Sequence, residues 1–250
     1  MQEKLFITKG EASGKKAKGL RTAVSAFIIT VLIPVTIWFG VSFLNDRKYY
    51  FISLMIIIYV LVPFFMMFEN RQPQAREIIV ISVLSSAAVA GRAMFFMIPA
   101  FKPMIAIVAI SGVVFGPESG FVTGALSAFA SNFIFGQGPW TPWQMISLGL
   151  IGFAAGTLHK AGVLKKRKFD LCVFGCLSTY MIYGGIMNFA SVAMYTSKIS
   201  KSALMAAYIS GIPYDTIHAF STVFFMHVLS VPMIERLDRI KLKYGMMRKG

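Results

Sequence analysis

A loop of aromatic, amide and glycine residues is the segment of this sequence best suited to hold a ligand. It runs from 136 to 144, carries no charge, and contains Gln137, Trp140, Trp143 and Gln144. Proline removes backbone donors and glycine permits unusual dihedral angles, so we expect an irregular backbone here. Apolar surface with a few placed amides is typical of ligand sites. The loop therefore indicates a wall or lid over a bulky, partly apolar ligand, although an aromatic belt at a membrane interface has a similar composition.

Two ionisable residues near the carboxyl end form a second candidate. Asp215 and His218 are three positions apart, so they share one face of a helix, and they follow Gly211 and Pro213. Ionisable residues inside an apolar segment are functional candidates by default. A structural ion pair, or a capping role for the aspartate after the proline, fits the same spacing equally well.

The elements that position these residues are apolar helices. The chain has 250 residues, of which 56% are hydrophobic, and its mean hydropathy is +0.68. A helix needs about 20 mostly apolar residues to span a membrane, and the apolar runs lack the two-residue period of a membrane β-barrel. Eight spans are predicted: 22–44, 50–68, 78–90, 104–115, 120–135, 143–158, 171–189 and 203–234, the last with a break near 211–213.

The fold class that follows is an all-α membrane protein, in which a six-helix bundle is preceded by an extra two-helix transmembrane hairpin. The predicted domains are a basic cytoplasmic tail (1–21), the hairpin (22–68), a linker (69–76), the six-helix substrate-binding domain (77–234) and a second basic cytoplasmic tail (235–250).

The formal net charge of +15 is explained by topology rather than by nucleic-acid binding. With both termini in the cytoplasm, roughly three quarters of the 25 lysines and arginines lie inside, as the positive-inside rule requires. The sequence therefore predicts a multi-pass protein of the cell membrane, with the loop 136–144 outside. Cys172 and Cys176 are explained as small apolar residues, and no metal site is predicted.

Small residues recur at helical spacing in two predicted spans. One series is Gly149, Gly152 and Gly156, and small residues at this spacing let helices approach closely. Packing within the chain and docking of a membrane partner both explain such patterns. The partner-docking face is predicted at Ser82, Ser86, Ala87, Ala90 and Gly91.

Several short stretches within about 77–244 carry a family resemblance. They are 91–92, 98–103, 112–120, 131–133, 136–145 and 183–188. In these stretches the chain resembles the substrate-binding S component of energy-coupling factor (ECF) vitamin transporters, and it is most similar to the predicted cobalamin S components.

The resemblance implies a mechanism and a site. An S component binds a vitamin from outside, associates with a transmembrane coupling protein and two cytoplasmic ATPases, and topples in the bilayer to release the ligand inside. ATP is then used by the partner subunits, and the chain itself needs no cofactor and is not an enzyme. The substrate-binding residues implied are Arg92, Phe96, Lys102, Asn132, Gln137, Trp140, Trp143, Gln144, Tyr183, Asn188, Asp215 and His218.

These residues do not select a single ligand. The tryptophans suit a large ring system, the amides suit the rim of a corrin, and Arg92 and Lys102 suit a phosphate or carboxylate. Cobalamin is the first expectation, with riboflavin, folate or a queuosine precursor as alternatives. An intramembrane enzyme using Asp215 and His218, or a stand-alone ion-coupled carrier, is a further alternative. The sequence contains no His-Glu-xx-His or Gly-xxxx-Gly-Lys pattern to support the enzyme.

Overall fold

The computed structural model describes residues 27–43, 75–196 and 199–244, together with the single residues 24, 55, 58 and 59. The predicted tail 1–21, nearly all of the predicted span 50–68, and most of the linker 69–76 lie outside the described residues. All regular secondary structure in the described part of the chain is helical, and no strand is present there.

Eight α-helices and two π-helical turns make up the described residues. The turns are Ile28–Leu32, which leads into α1, and Thr179–Gly184, which joins α6 to α7. The helices are α1 (Ile33–Phe43), α2 (Ala75–Met94), α3 (Met104–Phe115), α4 (Pro117–Phe135), α5 (Thr141–Lys160), α6 (Lys168–Ser178), α7 (Gly185–Tyr195) and α8 (Lys201–Lys243).

Two of the resulting helical segments are long and apolar enough to cross a membrane. One is Lys168–Tyr195, in which α6, the π turn and α7 are continuous, and the other is α8. Ile78–Met94 and Met104–Phe115 are shorter apolar helices. The count of eight spans stays a prediction.

The predicted break near Gly211–Pro213 is wrong, because α8 runs without interruption through Pro213. Proline lacks an N–H, so the helical ladder loses the bond to the carbonyl of Ile209, and membrane helices tolerate an interior proline of this kind. The helix also continues to Lys243, beyond the predicted span end at 234. At about 1.5 Å per residue it is about 65 Å long.

Helix α3 lies at the centre of the bundle. Every residue from Met104 to Phe115 is buried, and the helix packs against α2, α4, α5 and α8. A helix that is apolar on all sides is buried either in a protein core or in a membrane, and the other helices enclose α3 here. The neighbouring helices can therefore form a polar site at the ends of α3.

Glycines bring α3, α4 and α5 into backbone contact. A Cβ on Gly112 or Gly120 would overlap the backbone of Gly152, and a Cβ on Gly156 would overlap Pro117. The explanation of Gly149, Gly152 and Gly156 as packing residues within the chain is confirmed by these contacts.

The two ends of the bundle differ in charge. At one end Lys166 forms an ion pair with Asp238 at 2.6 Å, and the Lys241 ammonium donates to the carbonyl of Val114 at 2.6 Å. The opposite end carries the turn 95–103 and the loop 136–140. The positive-inside rule predicts that the lysine-rich end faces the cytoplasm.

Gly152→Ala should lower the melting temperature of the protein in detergent, because the added methyl group has no room beside the Gly120 backbone. Overpacking of this kind costs about 1–3 kcal/mol. Gly185→Ala is the matched control, since the nearest atom to its added Cβ is 3.9 Å away. Equal melting temperatures for the two variants would contradict the close-packed interface.

Candidate functional site

A cavity of about 70 Å³ lies at the end of the bundle opposite the Lys166–Asp238 pair. It forms where the end of α2, the turn before α3, the first halves of α3 and α5, the π turn and the middle of α8 meet. The lining residues are Arg92, Lys102, Met104, Ile105, Gln144, Leu148, Tyr183, Tyr214 and His218. Cationic, amide and aromatic groups therefore surround a single space.

Arg92 is held in place by the end of α4. Its Nη1 donates to Ser131 Oγ at 2.6 Å and to Asn132 Oδ1 at 2.8 Å. Its guanidinium carbon lies 4.8 Å from the ring centroid of Phe135, a cation–π distance. Among the described residues only Nη1 of the guanidinium forms hydrogen bonds, so the remaining N–H groups are available to a ligand.

Asn132 links Arg92 to α5. Its Nδ2 donates to Gln144 Oε1 at 2.8 Å and to Thr141 Oγ1 at 3.0 Å. The Thr141 hydroxyl then donates to Gln137 Oε1 at 2.8 Å. We call this set, from Arg92 through Asn132 to Gln144, Thr141 and Gln137, the amide network. The amides of Asn132 and Gln137 belong to the amide network and do not line the cavity. Gln144 belongs to the network and also lines the cavity.

Lys102 reaches the cavity from a turn that α8 fixes. Its backbone N–H donates to Ser221 Oγ at 2.7 Å, and the Ser221 hydroxyl donates back to the Lys102 carbonyl at 3.1 Å. Ala100 adopts a φ of 57° and is the only non-glycine residue with positive φ in the described part of the chain. This conformation costs about 1 kcal/mol. Burial, and next the charge of Arg92, lower the pKa of the Lys102 ammonium.

The aromatic wall comes from the π turn and α8. The rings of Tyr183 and His218 meet edge to face, with centroids 4.7 Å apart, and the Tyr214 ring lies 6.1 Å from that of His218. A π turn inserts an extra residue into a helix and is frequent at functional sites. His218 is 5% exposed, and its Nδ1 has no hydrogen-bond partner among the described residues.

Asp215 is buried beside the cavity but does not line it. Asn188 Nδ2 donates to its carboxylate at 2.8 Å, and Gly184 leaves the space that this carboxylate occupies. No hydrogen bond or ion pair joins Asp215 to His218 in the described structure, so the two do not form a pair. Asn188 thus contacts Asp215 and lies outside the cavity lining.

The predicted aromatic lid lies apart from the cavity lining. Trp140 folds over Gly138, Trp143 packs edge to face on Phe189 at 6.0 Å, and Phe96 stacks on Phe135 at 5.0 Å. The expectation of an irregular backbone through residue 144 is wrong, because α5 begins at Thr141. Pro142 is compatible with this start, since a helix's first N–H groups have no intrahelical partner.

Sequence reasoning missed the apolar part of the lining and the support of Lys102. Met104, Ile105 and Leu148 look like ordinary core residues in an apolar run. Tyr214, one position from Asp215, could have been found from its helical spacing to His218. Ser221 gave no signal, because its partner is a backbone group 119 positions away.

The predicted docking residues divide into two groups. Ser82, Ser86, Ala87 and Ala90 are exposed on α2. Gly91 is buried, and a Cβ there would overlap Pro103. Gly91 therefore lies at a contact within the chain.

The family model described as "ECF-type riboflavin transporter, S component" matches residues 73–238. This chain belongs to that family. The match covers α2 to most of α8 and includes every residue of the cavity lining. S components of ECF transporters bind small vitamin-like substrates and work with a coupling protein and ATPases, so the S component described here is a transporter subunit of the membrane.

Curated relatives carry only a family label. A UPF0397 protein of Vibrio atlanticus (strain LGP32) is 26% identical over 139 residues, which is 51% of this chain and 76% of that protein. A UPF0397 protein of Aliivibrio salmonicida (strain LFI1238) is 28% identical over 105 residues, 40% of this chain and 55% of that protein. No solved structure gives a significant match.

Asn132→Leu should lower the melting temperature, because the half-buried Arg92 and Gln144 and the buried Thr141 lose their hydrogen bonds to this amide. An unsatisfied buried group costs about 1–3 kcal/mol. Ala130→Leu, on the exposed side of α4, is the control and should melt close to the parent protein. An unchanged melting temperature for Asn132→Leu would show that the amide network does not stabilise this end of the bundle.

Proposed function

We propose that this S component captures a vitamin with a flat ring system from outside the cell. It then delivers the vitamin inward with a separate coupling protein and two cytoplasmic ATPases. The observation that carries the proposal is the cavity in which Tyr183, Tyr214 and His218 face Arg92, Lys102 and Gln144. Aromatic walls bind a planar ring by stacking or edge contacts, and the polar groups fix its orientation.

A flavin-type ring is the first candidate. The family description names riboflavin, and the edge-to-face rings of Tyr183 and His218 form an aromatic wall of the cavity. Cobalamin, which the sequence resemblance favours, is the second candidate, because Trp140 and Trp143 provide additional ring surface on the 136–144 segment. A corrin is far larger than a flavin and requires a much greater rearrangement of the site.

Ligand capture requires the site to open. Pockets for vitamin-sized ligands measure about 300–1,000 Å³, against about 70 Å³ here. The exposed stretch 96–98 is the part of the turn best placed to move, because Ser221 anchors Lys102 at the other end of the turn. We infer that the ligand displaces this stretch outward and that the stretch closes behind it.

The exposed stripe on α2 is the proposed docking surface for the coupling protein. Ser82, Ser86 and Ala90 are exposed at spacings of four residues, and small side chains permit close helix contact in a membrane. Ile79 and Val83 flank the stripe and are also exposed. This face is the one that the family resemblance assigns to the partner.

Tyr183→Ala should weaken riboflavin binding at least tenfold, because it removes the ring that packs on His218 and faces the ligand. A lost aromatic stacking contact is worth about 1–3 kcal/mol. The measurement is calorimetric titration of the purified protein in detergent with riboflavin and, separately, with cobalamin. Tyr180→Ala is the control, since that tyrosine lies on the same π turn but is exposed.

Tight binding of riboflavin that is equally strong in Tyr183→Ala would place the ligand elsewhere. Tight binding of cobalamin alone, with both tyrosine variants unaffected, would move the site to the tryptophan segment. Failure of both vitamins to bind the parent protein would contradict the flavin and cobalamin assignments together.

Ser86→Leu should abolish vitamin uptake by cells while leaving ligand binding to the purified protein unchanged. The larger side chain separates α2 from a close-packed partner helix. Ala206→Leu, at an exposed position on α8, is the control and should transport normally. Uptake that survives Ser86→Leu would exclude this stripe as the docking surface.

A further inference from the structure

Two cations face the cavity, and no carboxylate of the described residues lines it beside them. Arg92 and Lys102 both line it, and neither forms an ion pair with any described residue. The salt bridges found in the described structure, Lys166–Asp238 and Arg239–Glu235, belong to the opposite end of the bundle. The nearby acid Asp215 accepts a hydrogen bond from Asn188 and lies outside the lining.

The donors of both cations are open to a ligand. Arg92 uses only Nη1 within the described protein, and the Lys102 ammonium forms no hydrogen bond there. A buried charge is costly unless it is paired and hydrogen-bonded. Guanidinium and ammonium groups together match an oxyanion, since the guanidinium can bind two oxygens and the ammonium adds a point charge.

Hydrogen bonds and one strained backbone residue hold these two cations in place. Ser221 binds both backbone groups of Lys102, Ala100 adopts a left-handed conformation in the same turn, and Asn132 and Ser131 hold Arg92. Strained residues persist where the surrounding structure fixes them, and they cluster at ligand-binding sites. The remaining lining groups, apart from Gln144, are aromatic or aliphatic.

We propose that the ligand carries an oxyanion, a carboxylate or a phosphate, that binds between Arg92 and Lys102 while its ring lies against Tyr183 and His218. This inference rests on the proposed function and specifies its substrate class. An acidic form of a flat-ring vitamin is the preferred ligand, and a neutral form of the same ring binds more weakly.

Matched neutral and anionic pairs test the inference. The first pair is riboflavin and riboflavin 5′-phosphate, and the second is folate dimethyl ester and folate. Each is titrated into the purified protein at low and high salt. In at least one pair the anionic member should bind about tenfold tighter, with the difference reduced by salt. A preference within the first pair identifies a phosphate, and one within the second identifies a carboxylate.

Lys102→Met should abolish the preference for the anionic member, so that the anionic and neutral members of a pair bind about equally. Because Ser221 holds the Lys102 backbone rather than its side chain, this substitution leaves the turn anchored. Arg92→Lys keeps the charge but loses the guanidinium geometry, and it should reduce the preference partially. Lys201→Met, at an exposed position at the start of α8, is the charge-matched control and should behave like the parent protein.

The outcomes distinguish the oxyanion inference from the proposed function. Neutral members that bind as tightly as their anionic partners, in the parent protein and in Lys102→Met alike, would overturn the oxyanion inference and leave the proposed function intact. Failure of all four compounds to bind the parent protein would contradict the proposed flat-ring ligand and the oxyanion inference with it.

Discussion

The hydrogen bonds of Asn132 are the constraint on which the site depends. The side chain accepts from Arg92 on α2 and donates to Gln144 and Thr141 on α5. One amide thereby fixes the distance between two helix ends and directs both Arg92 and Gln144 towards the cavity. In a low-dielectric interior a fully satisfied polar network is rigid, and a partly satisfied one is costly. Lys102 is placed opposite Arg92 and Gln144 by its hydrogen bonds to Ser221 on α8.

The close apolar packing of α3, α4 and α5 holds the helix ends in position, and the amide network forms at those ends. Helix α3 is enclosed by its neighbours, and glycines bring α4 and α5 to within backbone contact of each other. Within this packed region the helices have little freedom to shift. The turn 95–103 is held to α8 where Lys102 meets Ser221, whereas its residues 96–98 are exposed. A packed bundle with an exposed stretch at its cavity end suits a transporter subunit that must admit a ligand.

Much of this could be predicted from the sequence. The helical class and the boundaries of α3 follow from uninterrupted apolar runs, and Arg92, Lys102, Gln144, Tyr183 and His218 were all predicted and line one cavity. Sequence patterns failed where the decisive contact is distant. The continuity of α8 through Pro213, the pairing of Asn188 with Asp215 and the clamp of Ser221 on Lys102 depend on tertiary neighbours. Local propensity carries no information about them.

The measurement that tests the central claim most directly is an experimental structure of the S component with a ligand retained from the cell. The account predicts a planar ring in contact with Tyr183 and His218, an acidic group between Arg92 and Lys102, and a displaced 96–98 stretch. A ligand bound against Trp140 and Trp143, with the Arg92–Lys102 cavity unchanged from the arrangement described here, would contradict it.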